Sequence, residues 1–165
     1  MATKFTVEHV LNITPEGFWT KIQPSEAFYQ ALYIDHLGYE YELLECDLAA
    51  GTRKARIKPT ADAPKVIRDA LGERFAFIED GRFDAAAGRY DFEIIPNTFT
   101  DKVRTTATQT MVPHGSDQCV RTVHFEIDAK LLGLGTILEK FIAATTRASY
   151  GDSAQFTNDF IAKLG

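Results

Sequence analysis

From Leu131 to Gly165 the chain reads LLGLGTILEKFIAATTRASYGDSAQFTNDFIAKLG, with no proline and an apolar residue on nearly every turn. Thirty residues of α-helix span about 45 Å at ~1.5 Å per residue, which exceeds the width of a small domain. In a chain of 165 residues so long a helix must lie along an extended partner surface. Leu134, Leu138, Phe141, Thr145, Ala148, Asp152, Phe156 and Phe160 recur at helical spacing and predict the stripe that faces that surface. Thr136 and Glu139 fit a capping box that would start the helix. Gly151 weakens its middle by about 1 kcal/mol relative to alanine. A kink is expected there, with a restart at Asp152 or Ser153 as the alternative.

The remainder of the chain supplies strands. KFTVEHVLNI alternates Phe5, Val7, His9 and Leu11 against Thr6, Glu8, Val10 and Asn12, the period-2 pattern of a strand. Thr14 then stands as a helix cap before Pro15, and Ser25 caps a second short helix that Gly38 stops. YEYELLECDLAAG and TRKARIKP predict two strands around a glycine turn, and APKVIRDALGE a short helix closed by Gly72. RFAFIEDGRFDAAAGRYDFEIIP contains two turn signals, Asp80-Gly81 and Ala87-Gly88. NTFTDKVRTTATQTMVPHGSD and QCVRTVHFEIDA supply the last strands. The expected architecture is α+β: a curved antiparallel sheet of about seven strands around the long C-terminal helix, with two short helices after the first strand. No linker or repeat divides it, so a single domain over 1–165 is expected.

The front segment KFTVEHVLNITPEGFWTKI, the strand meander and the back segment GLGTILEKFIAATTRASYGDSAQFTNDFIAKL together resemble the START-like superfamily, also called SRPBCC or helix-grip proteins. The resemblance covers essentially the whole chain. APKVIRDALG looks like a small helix of PRELI-type lipid transfer proteins, and the layout is similar to that of an uncharacterised bacterial branch of the superfamily. The resemblance implies a deep cavity between sheet and long helix that holds lipids, sterols, polyketides or other hydrophobic molecules. It also implies that the two short helices close one end of that cavity.

Composition narrows the partners. The net charge of −5 argues against a nucleic-acid groove, which needs a clustered basic surface. Arg53, Lys54, Arg56 and Lys58 lie close together, but charges on an exposed strand also blunt sheet edges. Cys46 and Cys119 sit in apolar runs without metal-ligand spacing and read as separate buried thiols of a reducing cytoplasm. The first residues carry no secretory pattern and no run is apolar enough to span a membrane. A cytoplasmic protein is expected, with no metal, no cofactor, and room for transient membrane contact of the lipid-transfer kind.

Aromatic residues make up 12% of the chain, and many alternate along strands. Both a filled core and a lined cavity use such residues. Phe77, Phe92, Phe125 and Phe141 are the candidate cavity walls. His9, Tyr29, Tyr33, Thr145 and Asp152 are the candidate polar points. Tyr29 and Tyr33, four residues apart, share a helix face. An inward Asp152 would need a partner, for which Arg121 is the candidate. His124 is expected at solvent, and His36 and His114 at a helix end and a turn. No serine elbow, glycine-rich phosphate loop or His-Glu-x-x-His motif occurs. Binding or transfer of a hydrophobic molecule therefore stands first. A cyclase or aromatase using His9, Tyr29, Tyr33 or Asp152 as proton carriers stands second, and an interaction module using the outer sheet face third.

Overall fold

Consecutive strands with short turns pair with their neighbours in sequence, and the computed structural model, which describes residues 2–59, 63–72 and 74–164, is built on that rule. Its strands are β1 (Thr3–Leu11), β2 (Glu40–Asp47), β3 (Thr52–Lys58), β4 (Phe77–Asp84), β5 (Arg89–Pro96), β6 (Val103–His114) and β7 (Gln118–Ala129). They form one antiparallel sheet in the order β1-β7-β6-β5-β4-β3-β2. The first and second strands are thus the two edges, and the connection between them crosses from one side of the sheet to the other.

That connection carries two short helices, α1 (Pro15–Gly17) and α2 (Glu26–Gln30). Thr14 Oγ1 accepts from Gly17 N–H and Ser25 Oγ from Phe28 N–H, so both expected caps form. Each helix runs on into wider, π-type turns, Phe18–Ile22 and Ala31–His36. Gln23 N–H there reaches the Phe18 carbonyl, and Leu37 N–H the Leu32 carbonyl. Gly38 ends the second segment at φ +71°, a left-handed conformation that glycine adopts without steric penalty. A third helix, α3 (Lys65–Leu71), follows β3 as expected; Glu73, the last residue of that predicted segment, lies outside the described residues.

The terminal helix, α4 (Gly135–Leu164), lies against β1 and β7. This is the helix-grip arrangement, and the helix runs on through Gly151 without the restart at Asp152 or Ser153 expected as the alternative to a kink. Its capping box does not form. Glu139 instead accepts from Thr3 Oγ1 at 2.6 Å and from Ala129 N–H at 2.9 Å, tying the helix start to the ends of β1 and β7.

The predicted stripe keeps Leu134, Leu138, Phe141, Phe156 and Phe160 against the core and loses its middle. Leu138, Ala143, Ala154 and Thr157 are buried, whereas Ala148 and Asp152 are exposed. The predicted line through residues 138, 145 and 152 repeats every seven residues, and a straight α-helix drifts about 20° per heptad from such a line. Two heptads carry it off the sheet.

Two further expectations fail on the sheet. Asp80-Gly81 is not a turn: Gly81 sits in mid-strand on β4, opposite Phe92 of β5. A Cβ there would overlap the Tyr90 phenol ring, so the glycine makes room for a neighbour's side chain. Cys46 is exposed rather than buried, because it lies on the edge strand β2; Cys119 is buried as read.

Candidate functional site

Alternation along a strand sends every second side chain to the same face. On β7 the inward set is Cys119, Arg121, Val123, Phe125, Ile127 and Ala129, all buried. On β3 it is Arg53, Ala55 and Ile57, and on β4 Glu79 and Gly81. Three charged residues therefore enter the interior in phase with apolar neighbours. Arg53 is only 2% exposed, Arg121 5% and Glu79 9%.

Glu79 and Arg121 line a chamber of about 80 Å³. Its floor is Glu79, Tyr90, Gln109 and Arg121 from the sheet, and its roof is Ser149, Tyr150 and Ser153 from α4. Phe18, Gln23, Phe28, Tyr29, Leu32, Tyr33 and Leu37 close it from the crossing connection. Four aliphatic or phenyl groups thus share the wall with four tyrosines and six other polar residues, a more polar lining than the sequence suggests.

On one side of the chamber the buried arginine has its counterion. Arg53 Nη1 contacts Glu79 Oε2 at 3.4 Å, and Tyr90 Oη donates to the same oxygen at 2.9 Å. Arg53 Nη2 donates to Tyr41 Oη, whose hydroxyl donates to Glu26 at 3.0 Å. The Arg53 guanidinium also stacks 3.7 Å above the Tyr29 ring. Burial opposes the charge on Arg53, yet Tyr29 and Glu79 outweigh it and its pKa rises.

On the other side, among the described residues, Arg121 forms no ion pair. Its Nη2 donates to the Tyr150 carbonyl at 3.4 Å, its guanidinium lies 5.1 Å from the Tyr150 ring, and its Nε has no partner. Burial, the leading influence, lowers its pKa, in contrast to Arg53. Gln23 Nε2 is likewise buried without a partner.

Burial pushes the pKa values of Tyr29, Tyr33, Tyr90 and Tyr150 upward, so all four hydroxyls stay protonated at neutral pH. Tyr29 Oη donates to the Gln23 carbonyl at 3.0 Å, and the Tyr29 and Tyr33 rings stack with centroids 6.4 Å apart.

Of the candidate residues, Tyr29 and Tyr33 line the chamber; the others do not. His9 pairs across the ladder with Arg121 and has a buried, unpartnered Nδ1, but stands beside the chamber, facing α4 at Gly151. Burial, then the nearby Arg121 charge, lowers its pKa. Phe92 and Phe125 pack edge to face in the core, with centroids 6.1 Å apart. Phe141 joins a separate aliphatic cluster with Ile67, Val103 and Leu138. Phe77, the first residue of β4, packs beside Phe75. Thr145 Oγ1 donates back to the Phe141 carbonyl at 2.8 Å.

Asp152 is the clear correction. It faces outward and pairs with His36 at 2.9 Å, not with Arg121. His124 is exposed and shares a hydrogen bond with Thr6 at 2.8 Å. Arg53, expected with Lys54, Arg56 and Lys58 on an exposed strand face, is instead buried, and Glu79, Gln109 and Gln23 carry no signal of the kind that marks the other candidates. The signal for Arg53 was present, since it lies in phase with Ala55 and Ile57 rather than with the outward Lys54 and Arg56. Among the described residues no group of three or more His, Cys, Asp or Glu could hold a metal ion, and no helix is long and apolar enough to cross a membrane.

The fold is shared with solved structures along nearly the full chain. Norcoclaurine synthase from Thalictrum flavum, solved with dopamine and hydroxybenzaldehyde, superposes with a TM-score of 0.69 at 16% identity, covering 100% of this chain and 89% of that one. The Zhui aromatase/cyclase from Streptomyces sp. R1128 gives 0.68 at 11% identity, with 96% and 93% covered. A START superfamily protein from Mycobacterium smegmatis gives 0.61 at 14% identity, with 99% of each chain covered. These likenesses establish the START-like fold. No curated protein sequence matches the chain. Residues 6–161 match the model of a family described as a protein of unknown function, DUF2505, and the chain belongs to that family.

Proposed function

We propose that this protein binds a small molecule with a hydrophobic, ring-containing body in the chamber between the sheet and the second half of α4. The observation that carries the reading is the unfilled interior itself. Protein interiors are close-packed, and voids that persist are held open by groups that cannot collapse together. Here the walls are six aromatic rings, from Phe18, Phe28, Tyr29, Tyr33, Tyr90 and Tyr150, set among fixed polar points. Aromatic walls that position fixed polar groups are what ligand sites use to hold and orient small molecules.

Size selects among occupants. Drug-sized ligands occupy roughly 300–1,000 Å³, far above the about 80 Å³ found here. A compact ring system suits the chamber better than a long acyl chain, and even it requires the crossing connection to yield. That connection is anchored in the two edge strands and closes the chamber with short helices, so it is the element that opens. A cytoplasmic setting belongs to the same proposal. The norcoclaurine synthase and aromatase/cyclase structures act as analogues in fold; for this chain, a cyclase-type reaction stands second. The neutral His9 beside Arg121 would be its base, at one remove from the chamber.

The test uses an uncharged fluorescent apolar probe, N-phenyl-1-naphthylamine, with the native full-length chain. It should bind at micromolar concentration and be displaced by flat aromatic compounds. Ser153→Trp, which fills the roof, should abolish binding while leaving the unfolding transition cooperative. Absence of binding in the native protein, or binding unchanged by Ser153→Trp, would defeat the proposal.

A further inference from the structure

A buried guanidinium keeps its charge at neutral pH, because arginine is effectively never deprotonated in proteins. Natural interiors compensate such a charge with a carboxylate. Arg53 follows that rule through Glu79, and Arg121 does not. The carboxylate in the chamber wall, Glu79, already receives Arg53 and Tyr90. Arg121 lines the chamber directly and, among the described residues, has no carboxylate paired with it, because Glu79 is taken by Arg53.

The orphaned atoms agree with that missing counterion. Arg121 Nε and Gln23 Nε2 are both buried donors without acceptors, and both residues line the same chamber. They come from opposite walls, Arg121 from β7 and Gln23 from the end of the first π-type turn. Ser149 and Ser153 add hydroxyls from the roof. A buried donor left without an acceptor is unfavourable, and two in one small chamber mark the place of a missing acceptor.

From this unpaired cation and its unpartnered amide neighbour, we propose that Arg121 and Gln23 form an anion-recognition point, and that the ligand is a ring compound bearing a carboxylate. One oxygen would accept from Arg121 Nε and the other from Gln23 Nε2, with the ring among Phe18, Phe28 and Tyr33. A planar carboxylate suits a single open guanidinium edge, since the Nη2 side is already turned to the Tyr150 carbonyl. This inference rests on the binding role proposed above and adds the chemical class of the ligand.

Calorimetric titration of the full-length chain with benzoate and cinnamate, each against its uncharged amide, tests it. The acid should bind at least about tenfold more tightly than the amide, in keeping with a charge-assisted hydrogen bond. Arg121→Gln should remove that preference, the acid falling to no tighter than the amide, and Gln23→Ala should reduce it less. A second measurement needs no variant: carboxyl-labelled cinnamate, followed by NMR in the wild-type protein, should stay ionised below its free pKa when bound. Equal affinity for acid and amide, or undiminished acid binding by Arg121→Gln, overturns the anion point and leaves the binding role standing. Binding of the uncharged naphthylamine probe or the amides without the acids does the same. If acids, amides and the probe all fail to bind, the binding role falls with it.

Discussion

The two ends of α4 meet the same sheet in opposite ways. Near its start, Leu138 and Phe141 pack with Ile67, Val103 and Ala129 into an aliphatic cluster, and the one buried carboxylate there, Glu139, has both oxygens occupied. Toward its far half, the sheet presents Arg53, Glu79, Gln109 and Arg121, and the helix answers with serines and a tyrosine around open space. One end is arranged for cohesion, and the other carries polar groups whose partners are incomplete. Such an arrangement is expected where activity requires groups that do not favour the folded state.

The contrast can be broken most severely at Glu79. Glu79→Gln leaves the Arg53 charge buried without its counterion, and loss of one partner of a buried pair costs about 3–5 kcal/mol. Urea unfolding should show that loss, and a change within error would mean that the two groups are solvated. At the cohesive end, Leu138→Ala should cost about 3 kcal/mol, because the side chain is fully buried and the cavity left behind collapses only partly. The same urea series measures it.

Arg121→Met should act with the opposite sign. Removing an uncompensated buried charge while keeping the side-chain bulk should raise stability by about 1–2 kcal/mol in the ligand-free protein, read as a higher thermal midpoint. A fall in midpoint would show that Arg121 is structural, as Glu139 is.

The smallest effect concerns pH. The folded pKa of His9 lies below its ordinary value of 6.5, so the unfolded chain binds the proton more readily. The stability contributed by neutral His9 is fully present above pH 6.5 and declines as the pH falls toward the folded pKa. His9→Gln should flatten that limb of the stability profile. Arg121→Met should raise the His9 pKa in an NMR titration, since the neighbouring positive charge is one of its two depressants.

Much of the frame was legible in the residues. Thr14 with Pro15, Ser25 and Gly38 mark the short helices because capping is local chemistry, settled within a turn of each residue. Alternation likewise identified β1 and β7. The chamber was harder to read because it depends on which strand phase each polar residue takes relative to a distant helix. Arg53 sat among three outward-pointing or loosely placed basic residues, and only its phase with Ala55 and Ile57 set it apart. Asp152 illustrates the converse: its helical spacing fitted the inward stripe, but accumulated rotation along α4 turned it toward His36. Asp80-Gly81 has the local chemistry of a turn, and only the Tyr90 ring across the ladder explains why the strand continues through it.

Gly81 and Tyr90 also constrain how this sequence can change over time. Any side chain at position 81 collides with the ring at 90, so the two positions are not free to vary independently. A lineage that gains alanine at 81 must first have shrunk residue 90. That first step removes the hydroxyl which donates to Glu79 and loosens the counterion of Arg53. The order of substitution is therefore fixed: the chamber's charge pairing must be rebuilt before the glycine can be replaced. Among relatives, a Gly81→Ala change should accompany a small residue at position 90 and an altered pair at positions 53 and 79.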